Sequence, residues 1–406
     1  MMAVRLAWRN IWRNSRRTAI TLAAISLTAA ILIASYSLMD GLMKQFVDNA
    51  TNLLMGEVQI HQEKYLVNRS LYKNIPNPDQ LLEKLKAQNL PASARSYGYG
   101  LAAAGTKSAG AMFVGVDPES ERKNFDLAGH LAEGKFLAPE PHKGLVLGRK
   151  LARSLNVTVG SEVVVVVQAA DGSLGNDLYT VTGILKSVGD SIDRTAAIMN
   201  QKDFQTLFVS GGRIHEIAIN TRGRLPLDNV VALTKKIAPD LEVKSWRDLS
   251  PTMSDMLNLF DAGMWIFGMI FYLAGGLGLM NTMLMATFER IREFGVLKAL
   301  GATPWRIMRD VTVEAFVISL VASVIGLGIG LAGSYYLKIH GLDTSVFVTD
   351  SYSVGGIAFD PVWRAAVSFK TIVPPVVVLW IVCLLASLYP AAIAARLDPV
   401  KAMTHV

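Results

Sequence analysis

Four long apolar runs decide what this chain of 406 residues can fold into. They cover Thr18–Met39, Ala262–Phe288, Val311–Leu337 and about Thr371–Ala395. An α-helix rises about 1.5 Å per residue, so about 20 apolar residues cross a hydrocarbon core roughly 30 Å thick. Every run is long enough. A backbone surrounded by lipid must also bond to itself, so four transmembrane helices are the expected form. The 51% hydrophobic composition conceals this, because the apolar residues are gathered into the runs while the stretch between the first two reads as a folded aqueous domain.

Charge sets the orientation. The short segment 289–310, between the second and third runs, carries Arg290, Arg292, Lys298, Arg306 and Arg309. Short loops rich in Lys and Arg are retained inside, which places this segment in the cytoplasm. Residues 1–17 hold Arg5, Arg9, Arg13, Arg16 and Arg17 and no acid, with Val4, Trp8, Ile11 and Trp12 on one helical face. That pattern fits a cytoplasmic helix lying in the membrane interface. The first run exceeds the apolar core of a signal peptide and lacks a small-x-small cleavage site, so it reads as an uncleaved anchor. Residues 40–261 are then extracytoplasmic and 338–370 form an external loop with Tyr352 and Trp363 as interfacial anchors. The tail 396–406 returns inside with Arg396 and Lys401. The expected location is the bacterial cytoplasmic (inner) membrane, with both termini in the cytoplasm.

Several function classes fall away. The net charge of +7 forms no basic stripe interleaved with aromatics, which argues against nucleic acid as a partner. Cys383 is the single cysteine, so an intrachain disulfide and a Cys-based zinc site are excluded. No run has an acid or base at mid-depth, with Asp261 and Glu314 sitting at run ends, which weakens an ion-coupled secondary transporter.

The middle region reads as α+β. Strands are expected at Glu57–His61, Met112–Val116, Glu162–Ala169, Leu178–Lys186, Ile214–Asn220 and Leu241–Trp246, the β-branched run Val163–Val167 being the strongest. Helices are expected to start at Asn77-Pro78, Asn200 and Pro226. Asp40–Met55 and Leu241–Phe260 can extend the first and second spans as stalks. Gly129–Phe136 has the core of a phosphate loop but puts Phe136 where a hydroxyl should meet Mg²⁺. Asp171–Asp177 resembles a calcium loop without its distal Glu and is read as a hairpin turn. Histidines 61, 130, 142, 215 and 340 show no metal spacing, and no metal site is expected.

Small residues dot the runs: Ser26, Ala30 and Ala34; Gly268, Ala274, Gly275, Gly276 and Gly278; Gly326, Gly328, Gly330 and Gly333. They allow helices to approach closely, within the chain or between subunits. Pro374 and Pro375 are read as opening the fourth helix. In the cytoplasmic segment, Ile291, Phe294, Leu297 and Lys298 recur at helical spacing from Glu289 to Leu300. Gly301 can end that short amphipathic helix, and Thr303-Pro304 can begin the next.

The segment ERIREFGVLKALGATPWRIMRDVTVEA (289–315) resembles the signature of FtsX/MacB-like, type VII, ABC transporter permeases. SLYPAAIAARLDPVKAM (387–403) resembles the closing motif of that family. FVGVDPE, LAEGKFL and GLVLGRKLARSLNVTVGSEVVV resemble its periplasmic core domain, and LAWRNIWRNSRRTAIT fits its opening. Phe294 stands where Ile is commoner. The resemblance implies an α-helical membrane protein with four transmembrane helices and an α+β extracytoplasmic domain between helices 1 and 2, working as a dimer with a second permease copy or paralogue. It also implies mechanotransmission, in which ATP-driven closure inside is relayed to the outer domain.

The chain shows no nucleotide-binding or catalytic motif, so it is not itself an enzyme and binds no cofactor. ATP and Mg²⁺ are expected on a separate, dimeric cytoplasmic ABC ATPase. Its expected contact is Arg290, Arg292, Glu293, Phe294, Gly295, Leu297, Lys298 and Gly301, with apolar side chains in an ATPase groove and Arg292 and Glu293 fixing register. The run SLMDGLMKQFVDNATNLLMGEVQIH (37–61) is closest in layout to lipoprotein-releasing (LolC/LolE-type) permeases. That suggests extraction or export of an amphiphile such as a lipoprotein, with Met39, Leu42, Met43 and Phe46 on the substrate path. Membrane lipids and a periplasmic lipoprotein or adaptor are the further partners implied. The competing readings are a non-transporting transmembrane actuator of an external hydrolase, and a tethered sensor.

Overall fold

A computed structural model describes residues 15–344, 362–398 and 402, with the backbone alone at 353–354 and 357–358. Most of the expected interfacial helix, together with Tyr352 and Lys401, lies outside the described residues. The chain divides into a helical unit (residues 1–44, 257–346 and 362–406) and a strand-rich unit (residues 45–256 and 347–361).

Helix α1 (Ser15–Ala50) continues well past the first apolar run and ends in a π-helical turn, Thr51–Met55. In the strand-rich unit there follow β1 (Val58–His61), α2 (Pro78–Ala87), β2 (Ala92–Ala104), β3 (Lys107–Val116) and α3 (Pro118–Asn124). Next come β4 (Leu131–Gly134), β5 (Gly144–Leu147), α4 (Arg149–Leu155), β6 (Glu162–Gln168), β7 (Leu174–Leu185) and α5 (Asp190–Thr195). The unit closes with β8 (Ala196–Asn200), α6 (Gln201–Leu207), β9 (Glu216–Ile219), α7 (Leu227–Ile237), β10 (Glu242–Ser245) and α8 (Trp246–Leu249). All six expected strands form, and Asn77, Asn200 and Pro226 are the N-caps of α2, α6 and α7.

The strand order β10-β1-β9-β2 comes from two βαβ segments, β1-α2-β2 and β9-α7-β10, in the antiparallel arrangement of a ferredoxin-like sheet. Leu81, Leu85 and Val230 of its two helices pack on Val58, Ile60, Ile217 and Ile219. From β2 the ladder continues through β3, β8, β5 and β7, and β6 joins β7 back to β2, closing a ring of strands. Along β6, Val163, Val165 and Val167 are buried while Glu162, Val164 and Gln168 are exposed, the two-residue period of a strand with one covered face.

Strand β2 serves both halves: Ala92–Arg95 pair with β9, Arg95–Ala104 with β3. Its sequence, ASARSYGYGLAAA, has no β-branched residue and was not expected as a strand. Its glycines answer to close neighbours instead. A Cβ on Gly98 would lie 2.3 Å from the Phe208 ring, and one on Gly100 would lie 2.5 Å from the Val166 carbonyl oxygen. The phosphate-loop look-alike supplies β4, paired to β7. The calcium-loop look-alike is the tip and start of the β6–β7 hairpin, with Gly172 at φ 87° and Asp171 accepting from Ser173.

In the helical unit, α9 (Pro251–Glu289), a nine-residue connector α10 (Ile291–Ala299), α11 (Pro304–His340) and α12 (Phe369–Arg396) follow. Helices α1, α9, α11 and α12 are each long and apolar enough to cross a membrane. The small residues of α1 and α11 form a seam within the chain. A Cβ on Gly326 would meet Ala29 and Ser26 at 2.6 Å, Gly330 faces Ala30 and Ile33, and Ser26 Oγ donates to the Ala322 carbonyl at 2.9 Å. Gly278, Gly328 and Gly333 face open space among the described residues. One expectation needs correction: Pro374 and Pro375 do not open α12. The helix starts earlier, at a Ser368–Thr371 capping box, and both prolines lie inside it, leaving the Lys370 and Thr371 carbonyls without their usual helical donors.

Candidate functional site

The connector α10 is delimited by backbone chemistry. Arg290 leaves helical geometry at φ −107° and caps α10, Gly301 takes the left-handed φ of 92°, and Thr303-Pro304 restart the chain as α11. The Arg290 guanidinium is the hub of one end. Its Nη1 donates to Glu314 of α11 at 2.9 Å and its Nε to Glu293 at 3.0 Å, while the group lies 5.2 Å from the Phe294 ring centroid. Glu314 is only 8% exposed, so its charge depends on Arg290 for compensation. At the other end Lys298 Nζ donates to the carbonyls of Ala395 (2.8 Å) and Leu397 (2.7 Å), acceptors left open where α12 stops.

The residues expected to meet an ATPase therefore divide. Phe294 and Gly295 are buried, Phe294 in one core with Ile307, Val311, Ala391 and Ala394, so its ring is seated in this chain's own helices and not offered to a partner. Arg290 and Lys298 are committed to α11 and α12. Arg292, Glu293, Leu297 and Gly301 are exposed. Beside them lie Val296, Leu300 and Trp305, the last two 80% and 73% exposed, which sequence reading did not single out. For Val296 and Leu300 the signal was available: 293, 296, 297 and 300 fall at i, i+3, i+4 and i+7, along one stripe of the helix.

The expected substrate-path residues also divide. Met39 and Leu42 line an apolar pocket of about 410 Å³ with Leu38 of α1, Phe260 and Met264 of α9, and Trp363. No Asp, Glu, Lys or Arg lines it among the described residues. Met43 and Phe46 are buried and do not line it. Trp363 arrives because the next residues press onto α1: Ser37 O accepts from Ala366 N at 2.8 Å, and a Cβ on Gly41 would fall 1.9 Å from the Arg364 carbonyl oxygen. Only glycine permits that approach.

The strand-rich unit holds a buried polar network. Arg95, fully buried, is gripped by Glu121 (2.7 and 3.3 Å) and Glu216 (3.1 Å), donates to the Leu54 carbonyl and lies 4.3 Å from the Phe125 ring centroid. His215 Nδ1 accepts from Tyr97 N at 2.9 Å and its Nε2 faces the Leu71 carbonyl, an arrangement for the neutral ring; burial pushes its pKa below the ordinary value.

A four-span membrane protein with a ferredoxin-like, strand-rich domain inserted after its first span is the class these features define. Residues 18–237 match the model of the MacB-like periplasmic core domain and residues 265–399 that of the FtsX-like permease C-terminal region. The chain belongs to the FtsX/MacB-like family of ABC transporter permeases. It is 25% identical over 311 residues to the lipoprotein-releasing system transmembrane protein LolC of Xylella fastidiosa, covering 73% of each chain. It is 24% identical over 296 residues to an uncharacterized ABC transporter permease of Methanocaldococcus jannaschii (70% of this chain, 68% of that one). Against the macrolide export ATP-binding/permease protein MacB of Wolinella succinogenes it is 24% identical over 429 residues, 99% of this chain and 60% of the relative.

Proposed function

We propose that this chain is the permease subunit of an ABC transporter that extracts or exports an amphiphile, with a lipid-anchored protein as the first candidate. The observation that carries this reading is the apolar pocket walled by α1, α9 and Trp363, which suits an acyl chain and offers nothing to an ion. The likeness to LolC supports a lipoprotein, and the likeness to MacB supports a macrolide-sized amphiphile as the alternative cargo. In this reading the exposed face of α10 and both termini lie in the cytoplasm and the strand-rich unit lies outside. Two permease copies work together, and ATP and Mg²⁺ are held by a separate ATPase that docks on Arg292, Glu293, Val296, Leu297, Leu300 and Trp305.

The test is ATP-driven release of a fluorescent lipid-anchored protein from proteoliposomes holding the full chain and its ATPase. Filling the pocket with Met39→Trp and Leu42→Trp should lower release about ten-fold, equivalent to about 1.4 kcal/mol of lost cargo binding, with ATP hydrolysis retained. Undiminished release would overturn the pocket's role. Hydrolysis without any release in the parent protein would favour the actuator reading.

A further inference from the structure

Nine residues with a glycine at the centre do not make a helix that stands alone: isolated helices shorter than about 12–15 residues are marginal in water, and glycine weakens them further. Helix α10 is also disconnected from α9, because Arg290 breaks the helical path between them. What holds it is a set of tertiary ties to two different spans. Arg290 reaches Glu314 on α11, Lys298 reaches the last carbonyls of α12, and Phe294 is sunk between them into the core formed with Ile307, Val311 and Ala391.

We propose that Arg290, Glu314 and Lys298 are positioning residues that clamp α10 onto α11 and α12, so that a push on its exposed face moves those spans instead of tilting the connector. This rests on the reading that an ATPase docks on that face, and it separates two jobs within one short segment. Leu297, Leu300 and Trp305 face outward and make the contact. Arg290, Lys298 and Glu314 face inward and transmit it. Glu314 lies in a different helix from the connector, at the end of an apolar run, yet it is the partner without which Arg290 ties α10 only to itself through Glu293. Lys298 caps carbonyls that α12 cannot satisfy internally, so a single ammonium fixes the end of one helix and the position of another.

The test is amide hydrogen exchange on the full chain in lipid nanodiscs. Glu314→Gln and Lys298→Met should each speed exchange of amides 294–300 about ten-fold while amides within α9 keep their protection, because local opening is set by local ties. Lys298→Arg, which can still donate to both carbonyls, should restore protection. Lys298→Met keeps the experiment readable if Glu314→Gln fails to fold. With the ATPase bound, the loosened variants should retain ATPase affinity but release about ten-fold less cargo per ATP, a ratio that a loss of fold or of docking would not produce. Unchanged exchange in both variants would overturn the clamp, as would full release per ATP from a chain whose connector has been loosened. The exchange arm uses the permease alone, so a wild-type chain that binds no ATPase would sink the docking reading without touching the clamp.

Discussion

Arg95 and Arg290 are both taken largely out of water, and they are built alike. Arg95, in the strand-rich unit, has two carboxylates, Glu121 and Glu216, and the ring of Phe125. Arg290, in the helical unit, has two carboxylates, Glu314 and Glu293, and the ring of Phe294. The difference is in what surrounds them. Arg95 is 0% exposed among partners that are 0% and 6% exposed, and burial, which disfavours its charge, is outweighed by the carboxylates that raise its pKa. Arg290 is 15% exposed and one of its carboxylates, Glu293, is 48% exposed. The first arrangement fixes strands β2 and β9 and helix α3 in one core. The second fastens a short connector at the surface. The same chemistry sets a fold in one place and an attachment in the other, and exposure tells them apart.

The largest effect should come from Arg95→Met, which leaves Glu121 and Glu216 buried without their cation. About 3–5 kcal/mol of stability should be lost, seen as a lower thermal midpoint for the strand-rich unit in the full chain. Arg290→Met should cost about 1–3 kcal/mol, because Glu293 can turn to water and only Glu314 is stranded. Equal losses would break the comparison.

A second contrast lies along α11. Gly326→Leu should cost about 1–3 kcal/mol by overpacking the seam against Ser26 and Ala29. Gly328→Leu, whose Cβ would face open space, should be tolerated, and detergent melting curves of the two variants check this.

His215 gives a smaller, pH-dependent effect. Its folded-state pKa is lowered by burial, so its contribution is present above an unfolded pKa of about 6.5 and is lost as pH falls through the folded value. The His215 ring carbon resonance, assigned with His215→Gln, should titrate below that unfolded value; a midpoint above it would contradict the neutral assignment. The smallest effect is expected at Arg17–Glu289, 2.6 Å apart but 20% and 40% exposed, where Arg17→Gln should change stability by about 0–1 kcal/mol and less in high salt.

Much of the helical unit was legible because lipid enforces length, and the connector was bounded by Gly301 and Thr303-Pro304 in plain sight. Which face of the connector is covered was not legible, since that is decided by partners far along the chain. Lys298 meets Ala395, 97 residues away, and Arg290 meets Glu314, 24 away. The pocket shows the same limit: Met39 and Leu42 were readable at the end of the first apolar run, whereas the opposite wall from α9 and Trp363 depends on packing at Gly41. In the strand-rich unit the β-branched strands announced themselves. Strand β2, which both halves share, did not, because it has no β-branched residue and its Gly98 and Gly100 answer to the neighbours that press on them.

The most direct test is the affinity of the ATPase for the full chain in nanodiscs, measured for the parent protein and for Leu300→Asp combined with Trp305→Asp. Docking on the exposed surface formed by α10, its C-cap Leu300 and Trp305 at the start of α11 predicts a loss of about 100-fold, equivalent to about 2.7 kcal/mol. Binding that is unchanged by both substitutions would contradict it.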